Sequence, residues 1–238
     1  TFLLTILGTF MTRSRVFNSV HSFTQSAIGP TILVFLAAAL LWSVVLLALR
    51  IDRLSAEGRL ETGASRDGMF LVNNLLLVLF TFTVLVGTVF PLVVEAVKGV
   101  QMSVGRPYFD RMAVPIGVAL LLLMGVGPAL PWGRATADQV KRALLPPLAG
   151  ALAAAGAGAL LGVRERWTVV ALAFGGYTAQ VTLRELWLPV ARRRGQGAGL
   201  REALVGSPLR QGRRRTAAYV VHAGAALTVV AIAVSSTM

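Results

Sequence analysis

The 238-residue chain has no cysteine and only two histidines, His21 and His222, and charged side chains make up only 14% of it. Without cysteine it can supply no disulfide, no thiolate zinc site and no thiol nucleophile. The shortage of charge excludes more. A soluble domain carries about 25% charged residues to keep its surface in water, whereas here hydrophobic residues reach 55% and the mean hydropathy is +0.72. Metalloprotease, Walker and nucleophile-elbow patterns are absent, and no Ser/His/Asp arrangement can be built, so no catalytic side chain is assigned.

What the chain does have is apolar residues in long blocks. Six of them cover approximately 30–49, 69–94, 113–130, 144–163, 167–190 and 217–236. Each is about as long as a helix needs to be to cross a bilayer, and a helix satisfies its own backbone hydrogen bonds in lipid. The expected fold is therefore all-α, a polytopic transmembrane helix bundle forming a single domain over residues 1–238. Residues 1–11, TFLLTILGTFM, are apolar from the start, with no initiating Met and no basic flank, so they are no signal peptide. They are too short to span and read as the second half of a helix, which makes the chain read as part of a longer protein.

A net charge of +13 invites a nucleic-acid reading. The basic residues lie between the apolar blocks, however, where they act as a topology signal, and no nucleic-acid partner is expected. One set of alternate loops, with Arg50, Arg66, Arg142 and the run from Arg192 to Arg215, holds fifteen Lys and Arg; the other set holds seven. The positive-inside rule puts the richer set in the cytoplasm. The loop carrying His21, the 95–112 loop and the C-terminal end then face outward, and the 192–215 stretch lies beside anionic headgroups.

Several polar residues interrupt the blocks. Asn73 and Asn74 open the second full span, where they can cap the helix or bond a neighbour. Arg184 and Glu185 lie near the cytoplasmic end of the fifth; being adjacent, they point different ways and need not pair. Pro91 is expected to bend or end its helix, and SVGRPYFDRM (103–112) to form a fixed loop along the interface. The small-residue segment 149–162 contains the pair Gly158 and Gly162, a GxxxG spacing that suits close helix packing.

His21 and His222 are the side chains best suited to hold haem iron, since neutral imidazole is a usual axial ligand. Each also has a plain alternative. His21, in the polar loop NSVHSFTQS, can be a solvated loop residue, and His222, in AAYVVHAGAAL, can make an interhelical hydrogen bond.

Five stretches in order resemble the cytochrome c haem lyases of the CcmF type: TFLLTILGTFMTRSRVFNSVHSF (1–23), FLVNNLLL (70–77), GTVFPL (87–92), SVGRPYF (103–109) and RRRTAAYVVHAGAALTVV (213–230). Residues 113–212 match mainly in hydropathy. The resemblance implies an inner-membrane protein that joins haem to the CxxCH motif of apocytochrome c by thioether bonds. It implies haem as the bound group, with His21 and His222 as iron ligands on the periplasmic side, and apocytochrome c, a haem chaperone and other maturation subunits as partners in the bilayer. The thiols come from the substrate, in keeping with a chain that has none. The family's tryptophan-rich WWD motif, its further histidines and its outer soluble domain do not occur in this sequence. His222 also lies only seven residues past Arg215, roughly 20 Å or more from the outer surface. An outer haem must then reach it through a deep cavity, or the helix must start earlier than hydropathy suggests. A permease segment and a structural scaffold are the competing readings.

Overall fold

The computed structural model describes residues 2–13, 28–54, 63–206 and 213–236, with the backbone alone at 205 and 206. Every regular element among them is helical, and five stretches are long and apolar enough to cross a membrane. The chain divides into two compact units, Thr1–Arg59 and Leu60–Met238.

In the first unit, α1 (Phe2–Arg13) packs against α2 (Ile28–Arg50), which continues as a 3-10 turn, Ile51–Leu54. Apart from Gly29, nothing on α2 is buried, and most of its apolar side chains are exposed. Lipid is the solvent such a surface requires. The His21 loop lies outside the described residues.

The described residues of the second unit form seven helices. The first, α3 (Arg66–Lys98), is capped by Ser65, whose Oγ accepts a hydrogen bond from Gly68 N at 3.2 Å. Asn73 and Asn74 therefore sit two turns inside the helix and cap nothing. Pro91 does not end α3, which runs on to Lys98 and stops at Gly99 in the left-handed region (φ 65°).

The next helix, α4 (Arg106–Ala129), corrects the expected interface loop: residues 106–112 are helical. Pro107 in the first turn explains this, because its fixed φ already suits a helix and its missing N–H would have had no partner there. Tyr108 and Phe109 then close on Gly87 of α3, where a Cβ would sit 2.7 Å from both rings, and Tyr108 donates to the Thr83 carbonyl at 3.1 Å.

The expected fourth span, 144–163, is a shorter helix with another just ahead of it. A short helix, α5 (Ala137–Leu144), opens with a capping box between Thr136 and Gln139 and ends just before the Pro146–Pro147 pair; α6 (Leu148–Leu160) follows. Gly162 lies beyond α6 at φ 89°, so Gly158 and Gly162 do not form one helical face. Close packing uses Gly150, Ala154 and Gly158 instead. A Cβ on Gly176 of the facing helix would lie 2.4 Å from the Gly150 carbonyl oxygen and 2.5 Å from Ala154 Cβ.

That facing helix, α7 (Arg166–Gly195), is the centre of the unit and packs against α4, α6, a short α8 (Leu200–Gly206) and α9 (Arg213–Ser235). It covers the expected span 167–190 but is too polar to be among the five apolar helices. Its polar groups serve its neighbours. Thr178 Oγ1 donates to Leu121 O of α4 at 2.8 Å, Thr168 Oγ1 to Ala233 O of α9 at 3.1 Å, and Tyr177 OH to Leu144 O at 3.2 Å. Trp167 and Trp187 stand twenty residues apart on it, roughly 30 Å along the axis, the thickness of a bilayer's hydrocarbon core. Tryptophan concentrates at both bilayer interfaces.

Candidate functional site

His222 lies on α9, which starts at Arg213 rather than at 217 as hydropathy suggests. Arg215, Ala218, Tyr219 and His222 follow at i, i+3, i+4 and i+7, the spacing that puts side chains on one helix face. Residues Arg66, Met69, Phe70 and Asn73 of α3 repeat that spacing. The two faces line a cavity of about 590 Å³, completed by α4 through Leu123, Met124, Gly127 and Pro128, and by Trp132. The packing order explains the gap. α3 packs on α4 and α9 packs on α7, which leaves a space between α3 and α9 over α4.

The cavity has a polar end and an apolar body. At the polar end, Arg66 donates from Nε to Gly127 O at 3.3 Å and from Nη2 to Pro128 O. These carbonyls lie in the last turn of α4, where Gly127 O also accepts from Leu130 N at 3.3 Å, and a guanidinium there complements the helix dipole. Arg66 also lies over the Trp132 ring, 5.2 Å from its centroid, and Phe70 stacks on the same indole at 5.7 Å. On the opposite wall, Arg215 pairs with Glu185 of α7, and the buried Tyr219 donates to that carboxylate at 3.1 Å. Glu185 therefore turns to α9 and not to Arg184 beside it.

Seven residues along from these two arginines, roughly 10 Å deeper, come Asn73 and His222. Both are half-buried, whereas Asn74 is exposed. His222 Nδ1 is buried and has no hydrogen-bond partner among the described residues. Leaving a buried polar group unpaired costs about 1–3 kcal/mol, so a fold that keeps one at a cavity wall points to an occupant. The set suits a porphyrin: an imidazole beside an apolar slot, with two guanidinium groups at one end for carboxylates. No group of three or more His, Cys, Asp or Glu that could hold a bare metal ion occurs among the described residues.

Of the two predicted ligands, the structure places His222 in this cavity, while His21 lies outside the described residues. The depth conflict resolves toward the arginine-rich end: His222 is nine residues from the start of α9 and thirteen from its end. Sequence reasoning passed over Arg66, Arg215 and Tyr219, counting the arginines only as topology signals. The i, i+3, i+4, i+7 face from Arg215 to His222 was the signal that could have found them.

Similar proteins share one description. The cytochrome c-type biogenesis protein ccl1 of Rhodobacter capsulatus is 35% identical over 196 residues, covering 80% of this chain and 29% of that protein. CycK of Rhizobium meliloti is 40% identical over 157 residues, 65% of this chain and 23% of its own length. CcmF of Escherichia coli is 30% identical over 249 aligned positions, 98% of this chain and 34% of its own length. The chain thus spans about a third or less of the relatives it matches. No family model and no solved structure matches it.

Proposed function

The chain is a homologue of part of the CcmF-type cytochrome c-type biogenesis proteins, and from that premise we propose that it is the histidine-bearing part of a haem lyase in cytochrome c maturation. The observation that carries the reading is His222 Nδ1, buried and without a partner among the described residues, at the wall of a cavity with Arg66 and Arg215 at one end. In this reading His222 would hold haem iron within the membrane, and Arg66 and Arg215 would face the propionates. A haem held there supplies one-electron redox chemistry, with its potential set by the axial ligand and the surrounding dielectric. The chain's own contribution is a water-poor slot walled by Leu123, Met124 and Phe70.

Attachment itself falls to the outer side, where His21 would hold the iron of the substrate haem. Each cysteine of an apocytochrome CxxCH motif adds its S–H across one vinyl group: a carbon–sulfur bond forms, the vinyl double bond is lost, and the thiol proton ends on the neighbouring carbon. No net oxidation is needed. The protein's task is to hold vinyl carbon against thiol, and positioning of that kind accounts for large rate enhancements. Apocytochrome c, a haem chaperone and further maturation subunits are the proposed partners, with the inner membrane as the setting and the His21 loop on its periplasmic side.

The test uses both histidines in the intact protein. His222→Ala should remove the Soret band of the purified protein, and His21→Ala should abolish covalent haem staining of cytochrome c while membrane insertion persists. An unchanged spectrum in the first variant and normal staining in the second would overturn the assignment. A cysteine placed at 222 should react with a thiol label from the arginine-rich side.

A further inference from the structure

A second cavity, of about 420 Å³, lies beside the first at the arginine-rich end, between α4, α5, α7 and α9. Its charged lining is Arg66, Arg142, Arg184, Arg192, Arg215 and Glu185, five guanidinium groups against one carboxylate. Two of the five are committed, Arg66 to the α4 carbonyls and Arg215 to Glu185. Arg142, Arg184 and Arg192 have no hydrogen-bond or ion-pair partner among the described residues, and all three are exposed.

Their placement is not that of scattered surface charges. Arg184 and Arg192 lie eight residues apart on one face of α7, with Leu188 between them in the same lining. Arg142 comes from α5 with Gln139 one turn before it, and that helix ends just before the Pro146–Pro147 pair that leads into α6. The floor is apolar, made of Pro128, Leu130 and Pro189. Trp187, half exposed on the same stretch of α7, marks the level of the headgroups. Three like charges converging on one concavity repel one another until an anion enters. Guanidinium groups match phosphate oxygens in fork geometry and hold them more strongly than a lone ammonium does.

We propose that this cavity binds a phosphate group, with Arg142, Arg184 and Arg192 as its ligands. The anionic headgroup of a bilayer lipid is the source that the setting favours. Basic pockets between transmembrane helices recognise such headgroups, and an apolar floor leading to lipid-facing helices suits the attached acyl chains. The site is independent of the haem reading, since these three arginines do not line the His222 cavity.

The test is made on the intact protein in detergent, with short-chain phosphatidylglycerol, short-chain phosphatidylcholine and inorganic phosphate as separate probes. Arginine modification by phenylglyoxal, mapped by mass spectrometry, reports which guanidinium groups each probe covers. Phosphatidylglycerol should protect Arg142, Arg184 and Arg192 and leave Arg111 and Arg164 reactive, while phosphatidylcholine protects none. The triple variant R142Q/R184Q/R192Q should bind phosphatidylglycerol roughly a hundredfold more weakly, from about fivefold per arginine near a charged lipid surface. A triple R111Q/R164Q/R166Q should bind it normally. Equal protection by inorganic phosphate at matched concentration would uphold the site and make free phosphate its ligand. Unchanged reactivity of the three arginines with every probe, or undiminished binding by the first triple variant, overturns the proposal. If that variant loses helicity, protection in the unsubstituted protein decides.

Discussion

Helices α2 and α7 make opposite use of the membrane. Helix α2 is apolar almost throughout and buries only Gly29, whereas α7 carries threonine, glutamine, arginine and glutamate and buries eight residues. The 30–49 block becomes the thoroughly apolar α2, whereas the 167–190 block becomes an α7 too polar to stand among the five apolar helices, although its two tryptophans stand a bilayer thickness apart. Hydropathy registers the solvent a helix faces. A helix surrounded by α4, α6 and α9 faces protein, so it can be polar provided each polar group finds a partner. Thr168, Thr178 and Glu185 all do.

That contrast can be broken in graded ways. The largest effect is expected at Gly176, where any side chain meets the Gly150 backbone. Gly176→Leu should lower stability by about 3 kcal/mol or more, as overpacking against an immovable backbone does. Ala38→Leu on the outward surface of α2 should change it by less than about 0.5 kcal/mol. Unfolding midpoints in detergent measure both, and equal losses would erase the distinction between the helices.

Next comes the charge that α7 hides. Arg215→Met strands the Glu185 carboxylate, whose side chain is 13% exposed, while that of Arg215 is 58% exposed. Solvent around the arginine moderates the loss to about 1–2 kcal/mol, below the 3–5 of a fully buried pair. The double variant Glu185→Gln, Arg215→Met should recover most of it, because no buried charge is then left over. Failure of the double variant to recover would mean that Arg215 acts through packing alone.

A smaller effect belongs to Thr178→Val, which removes the bond to Leu121 O and should cost about 0.6 kcal/mol, the average for interhelical hydrogen bonds in membranes. On α2, Ser43 bonds only to Ala39 O in its own turn, so Ser43→Ala should have almost no effect on the same measurement.

The smallest concerns the N-terminus of α7. Glu165 accepts from Thr168 N at 2.7 Å, and this backbone hydrogen bond holds its carboxyl below the usual range. A pKa lowered in the folded state stabilises the fold above the unfolded value, about 4.3 for glutamate. That stabilisation is lost as pH falls from there through the folded value. Glu165→Gln should therefore be slightly less stable than the parent at pH 7 and lose that difference below pH about 4; a gap that persists in acid would assign the effect to something other than charge.

Much of this was legible from residues alone. The blocks at 30–49, 69–94, 113–130 and 217–236 appear as helices, since twenty apolar residues in a row have few other ways to bury their backbone in lipid. The errors fell where a local signal was read without its surroundings. Gly158 and Gly162 have the spacing of a packing motif, but the helix ends between them. Residues 106–112 look like a loop through Gly105 and Pro107, yet Pro107 starts a helix. Arg66 and Arg215 were counted as markers of sidedness, and their further use emerged only when α3 and α9 were seen to face one cavity.

By itself, then, the sequence determined the membrane setting and the helical class, and it singled out His222 as one of two imidazoles in a chain without thiols. Each follows from composition or from runs of adjacent residues, and local physics acts on those directly. Only the tertiary structure decided that His222 and Asn73 share a cavity with Arg66 and Arg215, that α7 spends its polarity on its neighbours, and that Arg142, Arg184 and Arg192 converge. Those residues lie up to about 150 positions apart in the chain. Their meeting depends on which helix faces pack, set by small residues such as Gly150, Gly176 and Gly87 that let backbones and rings approach closely.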